Sequence, residues 1–255
     1  MRIVVKVGTS TLAHETGKLN IKRTSELCRV LSDLKNAGNE VILVSSGAIG
    51  MGVGKLSLKE KPKDIPTKQA AAAVGQCELM YTYDRTFTEY GHTVAQILLT
   101  GSDFSAEDRH ENFNNTLSRL LELDVLPIIN ENDTIATEEI KVGDNDTLSA
   151  LVAASVGAEL LVILSDVDGL YSADPHKDEN ATLIERVDGM PEELFSLAGD
   201  VGSALGTGGM KTKLKAAKLC MESGCDMVIA NGEKPELLYD IVSGKAGGYT
   251  RFFAK

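Results

Sequence analysis

Hydrophobic and polar positions follow two regimes along this chain. Short continuous apolar runs recur at Ile3–Val7, Val41–Val44, Thr93–Leu99, Val125–Ile129, Leu160–Leu164 and Met227–Ala230. They are rich in β-branched residues and lack strict alternation, as expected of strands buried on both faces of a parallel sheet. Between them apolar residues recur at helical spacing: Leu27, Val30, Leu31 and Leu34; Leu117, Leu120 and Leu121; Leu148, Leu151 and Val152. Gly38 and Gly91 fall where helices should end before the next strand. This alternation predicts an α/β protein with an open, mostly parallel sheet and helices on both faces.

In such sheets ligands gather at the carboxyl ends of strands, and the unusual residues cluster at those ends. Lys6 interrupts the first apolar run and is followed by Gly8, Thr9 and Ser10. A lysine there can reach an anion in a cleft, or it can extend to solvent from an edge strand. The second run leads into Ser45-Ser46-Gly47 and a glycine-rich stretch to Gly54, which suits close approach to an anion or a structural turn. Its spacing is neither that of a Walker A loop nor that of the dinucleotide fingerprint. Asn130-Glu131-Asn132-Asp133 and Gly143-Asp144-Asn145-Asp146 are dense in short amides and carboxylates. They suit a zwitterion, although Asn145 or Asp146 could instead cap the following helix. The EF-hand spacing and its closing glutamate are absent. Gly206–Lys213 opens a helix with Lys211 and Lys213 in its first turn, against the helix dipole, which suits a bound anion unless the two are simply solvated surface charge.

Composition narrows the classes. At 43% hydrophobic and 25% charged residues, the 255-residue chain is globular rather than disordered. A formal charge of −11 opposes nonspecific nucleic-acid binding, so no nucleic-acid partner is expected. The longest apolar runs are too short to span a bilayer, and the chain opens directly on a strand-like run, so a cytoplasmic protein is expected. Cys28, Cys77, Cys220 and Cys225 lack metal-site spacing and read as reduced core or near-core thiols. The four histidines (His14, His92, His110 and His176) form no metal-binding or nucleophile motif and read as surface or ordinary polar residues.

Taken together, the segments VVKVGTS (4–10), SSGAIGMG (45–52), KQAAAAVGQ (68–76), PIINENDTIATEEIKVGDNDTLSALVA (127–153), LSDVDGLYSADP (164–175) and GTGGMKTKLKAA (206–217) resemble the glutamate 5-kinases of the amino acid kinase family. The likeness covers nearly the whole chain in consistent order. It implies a three-layer αβα sandwich around a largely parallel sheet. It also implies phosphorylation of the glutamate side-chain carboxylate by ATP with Mg2+, the first step of proline biosynthesis. Lys6 and Lys213 would meet ATP phosphates and transition-state charge, with Asp146 orienting them. Ser46, Gly47, Asn130, Asp133 and Asn145 would bind glutamate. Gly8, Ser165, Asp166, Thr207, Gly208, Gly209, Met210, Lys211 and Thr212 would line the nucleotide site with the two lysines. No dedicated protein metal ligand is assigned.

The resemblance further implies one kinase domain over 1–255, its N-terminal part mainly for glutamate and its C-terminal part mainly for ATP. A homo-oligomer (dimer or tetramer), inhibition by proline, and coupling to glutamate-5-semialdehyde dehydrogenase, which would take the labile product, belong to the same expectation. Two departures stand out. The C-terminal PUA domain of many relatives is not in this sequence, and Tyr249-Thr250-Arg251-Phe252 stands where the family often has Gly-Thr-x-Phe. A sibling kinase acting on another carboxylate, or a non-catalytic sensor on the same fold, would share much of this pattern. Asp133 favours a free ammonium over an acetylated nitrogen, and the two lysines with Asp146 favour catalysis.

Overall fold

Alternate residues of the first strand, β1 (Arg2–Val7), enter two different cores: Ile3, Val5 and Val7 one, Val4 the other. The computed structural model describes residues 1–14, 18–60, 62–136, 142, 144–173, 178–190, 194–195 and 209–254. Seven further strands are described: β2 (Glu40–Ser45), β3 (Val94–Leu99), β4 (Leu126–Glu131), β5 (Leu160–Ser165), β6 (Arg186–Asp188), β7 (Asp226–Asn231) and β8 (Tyr249–Phe253). They form one sheet in the order β3-β4-β2-β1-β5-β7-β8-β6. The six apolar runs read from the sequence are the six mutually parallel strands β1–β5 and β7. β8 runs antiparallel to β7, and β6 pairs with β8.

The helices given by the described residues are α1 (Thr9–Leu12), α2 (Ile21–Asn36), α3 (Ala48–Lys55), α4 (Ile65–Thr88), α5 (Gly101–Ser105), α6 (Glu107–Glu122), α7 (Asn145–Ser155), α8 (Met210–Glu222) and α9 (Leu237–Val242). On one sheet face α2, α4 and α9 pack Leu27, Leu31, Leu79, Tyr83, Phe87 and Ile241 over Ile3, Val5 and Leu43. On the other, α6, α7 and α8 pack Leu117, Leu148, Val152, Leu214 and Ala217 over Val4, Ile42 and Ile163. The result is a three-layer αβα sandwich. Each fully buried Leu or Ile contributes about 1.5–3 kcal/mol. Gly38 and Gly91 end α2 and α4 with φ of +91° and +79°, in the left-handed region that glycine adopts without strain.

The C-terminal stretch departs from the sequence reading, which assigned it no strand. β8 sits against β7, and Arg251 donates twice to Asp226 Oδ2, at 3.0 and 2.8 Å. Tyr249 replaces the family's glycine without strain. The left-handed conformations fall one and two residues earlier, at Gly248 (φ +77°) and Gly247 (φ +113°). Thr250 is fully buried, and its Oγ1 accepts a hydrogen bond from the Leu170 amide at 2.8 Å. One thiol also departs from expectation. Cys28, Cys220 and Cys225 are buried, but Cys77 is exposed on the outer side of α4. Among the described residues no helix is long and apolar enough to cross a membrane.

Candidate active site

The parallel strands aim their carboxyl ends at one edge of the sheet, and β1 is where the chain order switches. From β1 the chain builds β2, β3 and β4 on one side, then β5 and β7 on the other. Crevices at such switch points hold ligands. Lys6 lies two residues beyond Val4 on the same face of β1, the face covered by α7 and α8. A period of two therefore carries this lysine beneath the beginnings of both helices.

Asp146 meets it there. Lys6 Nζ forms an ion pair with Asp146 Oδ1 at 2.6 Å, and Lys213 Nζ donates to Oδ2 at 3.2 Å. The Thr212 hydroxyl donates to the same Oδ2 at 2.9 Å. Asp146 is 0% exposed, Lys6 8% and Lys213 5%, so these charges interact with little screening by water. Burial pushes the Asp146 carboxyl up. The charges of Lys6 and Lys213, with hydrogen bonds from Lys6 and Thr212, outweigh that and lower it to about 2. One carboxylate is thus shared by two buried lysines drawn from a strand and a helix.

Helix capping falls one residue earlier than the sequence suggested. Asp144 is the N-cap of α7, accepting from the Thr147 amide at 2.8 Å and the Thr147 hydroxyl at 3.0 Å. Asn145 and Asp146 are thereby released for other contacts. Asn145 Nδ2 donates to Ser46 Oγ at 2.8 Å and to Asn130 Oδ1 at 2.9 Å. The carboxyl ends of β2 and β4 are so joined to the start of α7. Gly47, with φ +110°, is the N-cap of α3. Asp133 lies half-buried in the turn after β4.

The residues expected on the nucleotide side are described in part. Gly8 borders Lys6: a Cβ built there would stand 3.5 Å from Lys6 Nζ. Ser165 ends β5 and donates to the Asp166 carboxylate at 3.0 Å. Gly209 is the N-cap of α8, Met210 its first residue, and Lys211 lies exposed in its first turn. Thr207 and Gly208 lie outside the described residues. Thr212, expected along the nucleotide, ties its hydroxyl to Asp146.

The glycine-rich stretch after Ser46 serves packing as well as the site. A Cβ on Gly52 would stand 1.8 Å from the Ala71 carbonyl oxygen, and one on Gly75 1.8 Å from that of Ala48. These two glycines let α3 and α4 touch backbone to backbone. Sequence reasoning assigned no role to Gln76, the residue after Gly75. Its Oε1 accepts from Asn130 Nδ2 at 3.0 Å, and its Nε2 donates to Gln96 Oε1 at 3.0 Å. Nothing local in the sequence marks it, and its burial, at 8% exposure, emerges only in the fold.

A cleft of about 470 Å³ is lined by His14, Asn20, Arg23, Glu26 and Glu233, without any of the site residues above. The buried Lys–Asp–Lys cluster is the better candidate for chemistry than that open groove.

Two buried lysines converge on one carboxylate at a switch point, beside a polar amide cluster, on an αβα sandwich, an arrangement suited to stabilising charge on a transferred phosphoryl group. The amino acid kinase family model matches residues 1–231, and the chain belongs to that family. Two relatives place it more closely. Glutamate 5-kinase of Caldanaerobacter subterraneus subsp. tengcongensis is 56% identical over 98% of this chain and 67% of its own length. Glutamate 5-kinase of Clostridium acetobutylicum is 54% identical over 100% of this chain and 95% of its own. Within the family, then, the chain is a member of the glutamate 5-kinases. Carbamate kinase from Giardia lamblia bound to AMP-PNP shares the fold, with a TM-score of 0.70, 16% identity, and coverage of 100% of this chain and 98% of that one. The T. acidophilum isopentenyl phosphate kinase product complex does so at a TM-score of 0.64 and 18% identity, covering 99% and 100%.

Proposed function

We propose that this chain transfers the γ-phosphoryl group of ATP to the side-chain carboxylate of L-glutamate, giving L-glutamyl 5-phosphate and ADP, the first step of proline biosynthesis. The observation that carries the proposal is Asp146 held between Lys6 and Lys213. A carboxylate with a reference pKa of about 4.3 is ionised at neutral pH and attacks phosphorus without a general base. Its oxygen forms the new O–P bond as the bond to the β,γ-bridging oxygen breaks, and ADP leaves with that electron pair. The protein's task is alignment and charge stabilisation. In this mechanism Lys6 and Lys213 face the phosphoryl oxygens, and Asp146 fixes the two ammonium groups in place.

Ser46, Gly47, Asn130, Asp133 and Asn145 are the proposed glutamate site. The amides and the hydroxyl suit its carboxylate and ammonium, and Asp133 adds charge for the ammonium. Gly8, Ser165, Asp166 and the segment Thr207–Lys213 are the proposed ATP site. This divides the domain into a mainly glutamate-binding N-terminal part and a mainly ATP-binding C-terminal part. Magnesium enters in this reading as its ATP complex, its common mode with phosphates. Cytoplasmic location, a homo-oligomer, inhibition by proline and delivery of the labile product to glutamate-5-semialdehyde dehydrogenase complete the proposal by kinship with the glutamate 5-kinases.

Hydroxylamine trapping tests it. With ATP and magnesium the protein should form a hydroxamate from glutamate and none from N-acetylglutamate. Hydroxamate from another acid and none from glutamate would overturn the substrate and leave the reaction class standing.

A further inference from the structure

We propose that Gln76 is a positioning residue for the substrate, bracing Asn130 in the orientation that leaves Asn145 Oδ1 and the Ser46 hydroxyl proton for the amino acid to meet. The inference rests on the glutamate reading above and deepens it.

The starting point is a backbone amide. Asn130 Oδ1 accepts from the Glu131 N–H at 2.9 Å, and a backbone N–H can only donate. That one contact fixes which end of the Asn130 amide is oxygen. Its Nδ2 must then face Gln76, where it donates to Oε1 at 3.0 Å. Gln76 in turn must offer Nε2 to its far side, where Gln96 Oε1 accepts at 3.0 Å. On the near side, Asn130 Oδ1 also accepts from Asn145 Nδ2 at 2.9 Å, and the same Nδ2 donates to Ser46 Oγ at 2.8 Å. Each amide in the series runs in one sense because its neighbour does, back to a donor that cannot flip.

Two atoms are then assigned by elimination. Asn145 spends its Nδ2 group inside the series, so its Oδ1 is the part left to accept from a ligand ammonium. Ser46 Oγ is already an acceptor, so its proton is left to donate to a ligand carboxylate. Were the Asn130 amide reversed, Asn145 would meet an NH2 group. It would then turn its own oxygen inward, and the recognition pattern of the pair would invert. Gln76 holds Asn130 from behind, and it is itself clasped between Asn130 and Gln96. Gln96 lies exposed on β3, where water can replace it, so the series needs Gln76 more than Gln96.

The test uses the full chain and begins with glutamate-dependent hydroxamate formation by the wild type. No hydroxamate there overturns the function itself, whatever the variants do. With an active wild type, Gln76→Met keeps the side-chain volume and removes both hydrogen bonds. It should raise the glutamate KM about tenfold and leave the ATP KM within about twofold, the effect of one or two lost neutral hydrogen bonds. Gln76→Glu keeps an acceptor for Asn130 and should return the glutamate KM most of the way. Gln96→Ala should leave it within about twofold. A wild-type glutamate KM in Gln76→Met, or equal rises in the KM for glutamate and ATP, overturns the proposal. Should Gln76→Met fail to fold, Gln76→Asn retains an amide one methylene short of Asn130. The same rise in glutamate KM supports the proposal, and an unchanged value overturns it.

Discussion

Lys6 Nζ and Asp146 Oδ1 lie 2.6 Å apart, one from the central strand and the other from the first turn of a helix laid across it. The contact joins the innermost strand of the sheet to the start of α7, and Lys213 completes it from α8. Activity and stability should therefore meet at one carboxylate.

Lys213→Ala should lower kcat by a hundredfold or more, on the order expected when a preorganised transition-state charge is removed. Circular dichroism and a melting curve would show whether the variant is folded. Near wild-type turnover in a folded Lys213→Ala protein would remove this lysine from the chemistry.

Asp146→Asn removes the shared anion and leaves two buried ammonium groups facing a neutral amide. Loss of one partner from a buried ion pair costs about 3–5 kcal/mol, so the urea midpoint should fall sharply along with kcat. A variant that lost activity but kept wild-type stability would contradict the burial argument.

The pH dependence has a definite sign. The Asp146 carboxyl is lowered to about 2 in the folded protein, from an ordinary 3.8. A depressed carboxylate stabilises the fold above its unfolded value and loses that contribution as pH falls through the folded one. The Asp146 contribution should stay level from neutral pH to about 4 and fade between about 4 and 2, by about 2 kcal/mol. Urea melts of wild type and Asp146→Asn across that range should converge toward the acid end.

Gly75→Ala places a methyl group 1.8 Å from the Ala48 carbonyl oxygen, at the helix contact beside Ser46 and Gly47. Helical propensity alone would favour alanine. The clash should win and destabilise the protein by about 1–3 kcal/mol or more. Because Ala48 follows the proposed substrate residues, the glutamate KM should rise as well. A more stable Gly75→Ala protein would show that α3 and α4 can separate without loss.

Thr250→Val swaps a buried hydroxyl for a methyl of similar size and leaves the Leu170 amide without its acceptor. An unsatisfied buried donor costs about 1–3 kcal/mol, readable as a lowered denaturant midpoint.

The parts of this molecule visible in its sequence are those governed by burial on two faces. β1–β5 and β7 announce themselves because both sides of each strand are covered, which demands unbroken apolar runs. β6 and β8 do not, since β6 has only Val187 buried and β8 carries Arg251 for Asp226. Lys6 stood out because a charge inside an apolar run needs a reason. Gln76 did not, since its partners come from β3 and β4 and nothing local marks them. The glycines after Ser46 left two readings open, since loose backbone reads alike whether it approaches a phosphate or another helix, and Gly52 serves the second.

Asp144, Asn145 and Asp146 divide three tasks among consecutive residues: closing the helix end, joining the amide cluster and bridging the lysines. Each step along a helix turns the side chain by about 100°. Inserting or deleting a single residue at this point would swing all three out of place together, while most substitutions would disturb only one. The start of α7 should therefore accept changes of letter far more readily than changes of length, and loop grafts or domain insertions into this protein belong elsewhere.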